Sequence, residues 1–311
     1  MIVFRYALRS WTGRLGFLLV GVLVLAVAVS YVWVPHDPAR VVPGDKWLGL
    51  STDHWFGTNG AGKDLFSVVL VGARISLFVA LASSLIAGVI GLTLGVVSAI
   101  TPRYVGEPLA NLIDVLIALP TLVLALVLVG LFKGSLLTVS AAIGFSSGVV
   151  LARIVRAEVA RVLTQDYILA AQSSGTSTWR TVRRHILPNI APIAIVQLSL
   201  IAALAILAEA SLSYLGLTSR SRPSLGFELG ELQKTVTVHP WPVLFPGLVL
   251  VLATLGFNLL GDGLRDATDP RLRTSGPRAA GVRTSPSPTV STAMVNPLMP
   301  GAPLPGGPRE P

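Results

Sequence analysis

From Leu15 to Val34 the chain runs for twenty residues without a charged side chain. As a helix rising 1.5 Å per residue, that is enough to cross the ~30 Å hydrocarbon core of a bilayer. Comparable runs recur near 76–100, 112–131, 136–155, 191–208 and 243–260. This repetition limits the fold more than any motif does. Hydrocarbon offers no partner to a backbone N–H or C=O, so a spanning chain must be helical or form a closed barrel. The runs are continuous instead of alternating, which predicts an all-α polytopic membrane protein with six transmembrane helices. Composition agrees, since 52% hydrophobic against 13% charged residues is too apolar for a soluble chain of 311 residues.

The net charge of +9 does not indicate nucleic acid, because the basic residues flank the apolar runs and form no single stripe. The absence of cysteine excludes disulfides, thiolate metal ligands and cysteine nucleophiles. Arg5, Arg9 and Arg14 precede the first run, and Ala26-Val-Ala28 imitates a signal-peptidase site. The run continues past Ala28 to spanning length, so it is expected to stay as an uncleaved first span. Residues 1–14 then form an inner terminus, 15–271 a transmembrane domain, 35–75 an outer loop and 156–190 an inner loop. Residues 272–311, dominated by Pro, Gly, Ser and Thr, are expected to be a disordered inner tail. With both termini inside, sixteen of the 24 Lys and Arg lie on the inner side, as the positive-inside rule requires.

On the inner side, one long polar passage, Asp166 to Asn189, lies between two of these runs. Apolar Val155, Val159, Val162, Leu163 and Tyr167 recur at three and four residues, predicting an amphipathic helix that continues out of the fourth run. Gly175 breaks it. Thr176 or Ser177 caps a second short helix, with Trp179, Val182 and Ile186 on one side and Arg180, Arg183 and Arg184 on the other, and Leu187-Pro188 is expected to stop it. This passage resembles the cytoplasmic EAA loop of ABC importer permeases in Ala170, Ala171, Gly175, Leu187 and Pro188. The ending Arg184-His-Ile-Leu-Pro-Asn189 looks most like the dipeptide and oligopeptide permeases. The glutamate that names the loop is Leu169 here, with Asp166 and Glu158 nearby.

Three further stretches carry the same resemblance: His54 to Asp64 followed by Gly72-Ala-Arg-Ile-Ser-Leu77, Asp114-Val-Leu-Ile-Ala-Leu-Pro120, and Glu209-Ala-Ser-Leu-Ser-Tyr-Leu-Gly-Leu217. Family members usually carry Asp and Arg where this chain has Asn59 and Lys63. The resemblance covers roughly residues 50–271 in the family's order. It implies the type I ABC importer permease fold and a multi-pass place in the cytoplasmic membrane. The implied partners are a second homologous permease, two P-loop ATPases, an extracytoplasmic substrate-binding protein and a di- or oligopeptide cargo. The chain would be no enzyme and would bind no cofactor or metal, with ATP and Mg held by the ATPases. Asp166, Tyr167, Ala170, Ala171, Gly175, Leu187 and Pro188 would couple to the ATPase, while Glu209, Ser213 and Tyr214 would belong to the pathway or permease interface. An importer for another solute such as nickel fits the same signatures.

Two motifs imitate other chemistries. Gly57-Thr-Asn-Gly-Ala-Gly-Lys63-Asp64 approaches a phosphate-binding P-loop, but Asp64 stands where the magnesium-binding hydroxyl belongs and no buried strand precedes it. Gly144-Phe-Ser-Ser-Gly148 matches the serine hydrolase elbow, which would make Ser146 the nucleophile of an intramembrane protease. All four histidines, His36, His54, His185 and His239, lie outside the predicted spans, so the serine lacks a base. Small residues at a helix contact are the expected reading there and at Gly91-Leu-Thr-Leu-Gly95. Asp114 and Asp262 sit near predicted span ends, and no ionisable relay crosses the midplane, so energy must enter from outside the membrane. The 166–189 passage is the expected port.

Overall fold

The computed structural model describes residues 10–132, 135–218 and 223–268. The expected tail at 272–311 lies outside them, as do residues 1–9 of the inner terminus. The helices are α1 (Trp11–Val32), α2 (Leu65–Ile100), α3 (Arg103–Ile117), α4 (Thr121–Leu131) and α5 (Leu136–Leu163), then α6 (Asp166–Ser173) and α7 (Thr178–Thr181). A π-helical turn (Val182–Ile186) follows, then α8 (Leu187–Tyr214), α9 (Leu225–Gln233) and α10 (Trp241–Thr268). Among the described residues, five helical stretches are long and apolar enough to span, and a sixth span exists only if α3 and α4 are counted together.

Helix boundaries follow from local chemistry. Ser10 Oγ accepts the Gly13 N–H at 3.0 Å to start α1, which ends at extended Trp33 shortly before Pro35. Asp64 starts α2 by accepting the Ser67 N–H at 2.8 Å. The outer loop expected over 35–75 is therefore corrected to end at Asp64, and the 36 residues of α2 reach about 54 Å, well past hydrocarbon thickness. Arg74 falls within the stretch expected to be loop. It is accommodated inside α2 because its guanidinium donates to the Ser30 hydroxyl and carbonyl near the end of α1 and lies 4.3 Å from the centre of the Tyr31 ring.

Two further expectations are corrected. The third span is not one helix: it breaks at Ala118-Leu119-Pro120, and α3 and α4 meet at 81°, because Pro120 has no N–H for the i→i−4 ladder and clashes with a preceding turn. Leu187-Pro188 does not stop the helix that follows Gly175. The widened π turn over Val182–Ile186 carries the chain straight into α8, and Pro188 falls at a position whose N–H needs no partner.

Glycine sets how closely the spans approach. A Cβ added at Gly91 would meet the Leu151 side chain at 2.5 Å, and one at Gly95 would meet Val155 at 2.6 Å. The contact is reciprocal, since Cβ atoms at Gly144 and Gly148 would meet Ile86 at 2.7 Å and Ile90 at 2.9 Å. The two small-residue motifs thus interlock α2 with α5. Ser146 is buried and faces α4, where it pairs with Thr121 Oγ1 at 2.8 Å. Helix α1 lies against α10, where Gly16 touches the Leu259-Leu260 backbone, and its opposite stripe of Leu15, Leu18, Val22, Leu25, Val29 and Val32 is exposed. That three-and-four spacing makes one continuous apolar face on the outside of the bundle. Helix α8 runs through the middle and contributes to the core against α1, α2 and α10 and to that against α4 and α5.

Candidate functional site

The bundle has two polar ends, and the residues singled out by sequence divide between them. At the loop end, α5 stops at Leu163 and the chain restarts at Asp166 as α6, so the amphipathic helix expected to run continuously to Gly175 is two helices. Ile168 points down and is fully buried with Val155, Val159 and Val162 of α5, Val182 and Ile186 of the π turn, and Ile190 of α8. Tyr167, Leu169 and Ala170 of the same helix face out, with Tyr167 45% and Leu169 50% exposed. An eight-residue helix with an open top is thereby anchored through one apolar underside to two spans at once.

Gly175 closes α6. Its φ of +76° is left-handed, and the Thr176 N–H reaches back to the Ala171 carbonyl at 3.2 Å, the six-to-one bond of a Schellman ending. A Cβ there would meet nothing within 4 Å, so glycine is required by conformation and not by space. Ser177 is the N-cap residue of α7. Asn189 Nδ2 donates to the Tyr167 hydroxyl at 2.6 Å and ties α6 to the start of α8. Leu187 packs partly beneath the turn, and Pro188 is exposed. The structure therefore brings Tyr167, Ala170, Ala171, Gly175, Leu187 and Pro188 into one small projection, with Asp166 exposed at its entrance.

At the opposite end, residues 33–64, 215–218 and 223–240 fold over the mouth of the bundle. Gly57 and Gly62 take φ values of +72°, and between them Asn59 accepts the N–H groups of Ala61 at 2.9 Å and Lys63 at 3.0 Å through Oδ1. Asn59 Nδ2 donates to Glu228 of α9 at 2.7 Å. Burial holds Glu228 above the ordinary glutamate range, opposed by the Asn59 hydrogen bond and the charge of Lys63. The loop that imitates a P-loop is thus occupied by the chain itself. Asp64 takes the helix N-terminus where a phosphate would lie.

Glu209 and Ser213 have no exposed surface, and Tyr214 is 41% exposed. Glu209 Oε1 accepts from Ser213 at 2.6 Å and from Ser224 at 3.1 Å, and Ser213 pairs with Thr218 at 2.7 Å. This network joins the end of α8 to the start of α9. Sequence reasoning missed α9 and Glu228, whose only local signal is Ser224 ahead of a nine-residue helix. It also missed that Asp114, 3.6 Å from Arg153, makes an ion pair between α3 and α5 with both side chains more than half exposed.

These features define a polytopic α-helical membrane protein with a short exposed helix at one end and a folded cap at the other. The chain belongs to the family of binding-protein-dependent transport system inner membrane components, whose model matches residues 91–274. It is therefore a multi-pass inner-membrane permease component of an ATP-binding-cassette transport system and works with ATPase and other partner subunits. It is 34% identical to the dipeptide transport system permease protein DppC of Alkalihalophilus pseudofirmus, over 87% of this chain and 89% of that protein. It is also 34% identical to the oligopeptide transport system permease protein OppC of Bacillus subtilis, over 88% and 89%, and to the glutathione transport system permease protein GsiD of Pectobacterium atrosepticum, over 81% and 86%. Among solved structures, an inward-facing MetNI methionine ABC transporter chain superposes with a TM-score of 0.55 at 17% identity, covering 65% of this chain and 97% of that one. That likeness concerns the fold.

Proposed function

We propose that the chain is one of two related permease subunits of an importer that carries di- or oligopeptides across the cytoplasmic membrane. Two P-loop ATPases, which hold the ATP and Mg, dock on the α6 projection from the cytosol, and a substrate-binding protein delivers peptide at the cap end. Both termini lie in the cytosol, and the solute route runs between the two permeases. The permease itself carries no cofactor and performs no hydrolysis.

The observation that carries this reading is the form of the projection. Its outer face offers Tyr167, Leu169 and Ala170, while Ile168 seats it on α5, the π turn and α8, and the Asn189–Tyr167 bond adds a polar tie to α8. A push on that face moves two spans together, because packed interiors transmit displacement and do not absorb it. ATP-driven closure of the ATPases is converted in this way into a tilt of the bundle and alternating access to the route. The peptide cargo rests on the likeness to the dipeptide and oligopeptide permeases.

The test is to express the chain with its partner genes, purify the complex through a tag on this subunit and measure peptide-stimulated ATP hydrolysis in proteoliposomes. Co-purification of a second permease and ATPases, with uptake of labelled dipeptide, is the expected outcome. A lone chain that stays intact and ATP-inert after gentle extraction contradicts it.

A further inference from the structure

We propose that the cap end holds a zinc site formed by His36, His54 and Asp64. The three side chains come from the segment after α1, the outer loop and the N-cap of α2, and their ligand atoms all lie within 4.8 Å of one another. Among the described residues no other group of three such side chains converges in this way. The remaining histidines are committed elsewhere: His239 stacks on Trp47 with ring centres 4.3 Å apart, and His185 lies beside Tyr167 at the loop end.

The cluster has one imidazole more than a structural role needs. Asp64 Oδ2 is saturated by the Ser67 N–H at 2.8 Å and the Ser67 hydroxyl at 2.6 Å, which together cap α2. Oδ1 is in contact with His54 Nδ1 at 3.0 Å, enough to hold the loop. His36 Nδ1 stands 3.8 Å from Asp64 Oδ2, beyond hydrogen-bond distance, with its ring 4.8 Å from that of His54. Its backbone N–H is nevertheless fixed to the Ser67 hydroxyl at 3.1 Å, so the ring is kept over the carboxylate without bonding to it.

Zinc bound at ~2.0–2.1 Å to imidazole nitrogen and carboxylate oxygen sets its ligand atoms about 3.3 Å apart in a tetrahedron. The His54–Asp64 edge already matches at 3.0 Å, and the His36 side chain, 42% exposed and within 4.8 Å of both other ligand atoms, has room to close a gap of at most about 1.5 Å. The metal takes the free lone pair of Asp64 Oδ1 and the Nδ1 atoms of both histidines, and His54 shifts its ring proton to Nε2. The cleft above, of about 290 Å³ and lined by Asp53, Thr52, Trp33 and Trp55, leaves a fourth position for water or Asp53. Two nitrogens and a carboxylate with an open position suit Zn²⁺ better than the all-oxygen cations. Bound there, zinc ties the end of α1 to the start of α2 and fixes the cap.

The experiment uses the full-length protein in detergent, purified without a polyhistidine tag, stripped with chelator and titrated with zinc in a calorimeter. One zinc per chain is expected, with affinity at least about tenfold weaker in His36→Ala and His54→Ala and unchanged in His185→Ala and His239→Ala. Zinc should also raise the thermal midpoint of the wild type and leave that of His36→Ala unmoved, while the two metal-free midpoints agree. Saturable binding that survives His36→Ala, or no saturable binding at all, overturns the site. Because His36 is exposed and makes no side-chain hydrogen bond among the described interactions, its removal tests ligation and not folding. Asp64→Asn is avoided because it also weakens the cap of α2.

Discussion

The two ends of this molecule are built on opposite principles. At the loop end a short helix is held from beneath by Ile168 and its apolar neighbours, and the Asn189–Tyr167 bond is the one side-chain hydrogen bond tying it to α8 among the described residues. At the cap end the loops are held by buried polar pairs, Asn59 with Glu228, Asp64 with Ser67 and His54, and Glu209 with Ser213 and Ser224. Apolar contact is non-directional, so it tolerates small shifts while keeping the projection seated. Buried hydrogen bonds are directional and costly to break, so they define one geometry. A surface that transmits motion suits the first construction, and a mouth that must keep its shape suits the second.

The comparison breaks first at Ile168. Truncation to Ala leaves a cavity under α6 and should cost about 2–5 kcal/mol locally, with the spans intact. Limited proteolysis in membranes should then cut residues 164–177 much faster than in the wild type, and peptide-stimulated ATP hydrolysis should fall with it. Resistance equal to wild type would mean that the projection is held by something other than its underside.

Next is the Asn59–Glu228 pair. Asn59→Leu strands the Glu228 carboxylate and the Ala61 and Lys63 N–H groups, at about 1–3 kcal/mol for a buried group left unpaired. Glu228 also gives this end a pH dependence of known sign. Its value is raised in the folded protein, so the protonated form is favoured there, and its stabilising contribution is full below the ordinary glutamate range. That contribution is lost as pH rises from there through the raised value. Glu228→Gln should flatten the fall, read as thermal midpoint against pH. Asn59→Asp, the residue usual in the family, should steepen it by making two carboxylates share a proton.

Gly175 returns the comparison to the loop end. Any side chain in its left-handed conformation costs about 1–2 kcal/mol, although nothing would touch it. Gly175→Val should therefore abolish ATPase stimulation while the protein inserts and assembles normally, and Gly175→Asn should retain part of it. Equal coupling in both variants would remove the turn from the mechanism.

The sequence made the two ends unequally legible. Helix placement depends on local pattern, so the spans and the Gly175 turn were readable from apolar runs and one glycine. The α6 underside was not: the spacing set Tyr167 on the apolar face of Val155, Val159 and Val162, but the break between Leu163 and Asp166 re-phases the helix, so that Ile168 is buried and Tyr167 is exposed. The cap was not, because Asn59 and Glu228 are 169 residues apart and neither carries a local sign of its partner. The start of α2 was not legible for the same reason: Ser30, which accommodates Arg74 inside that helix, is 44 residues away. Pro120 and Pro188 look alike in sequence, yet one breaks a span and the other does not. The difference lies in the π turn preceding Pro188, which rearranges the carbonyl ladder before the proline arrives.

The smallest effect concerns the one polar tie at the loop end. The Tyr167 hydroxyl accepts from Asn189 at 2.6 Å, but both residues are exposed and water replaces the lost partner. Tyr167→Phe should cost at most about 0.5–1.5 kcal/mol and leave the projection seated on Ile168. If the apolar underside alone transmits the push, dipeptide uptake by the reconstituted complex should stay near wild type. A loss as deep as that of Ile168→Ala would show that a directional bond fixes the angle of α6 against α8. The loop end would then share the construction of the cap, and the contrast between the two ends would fall.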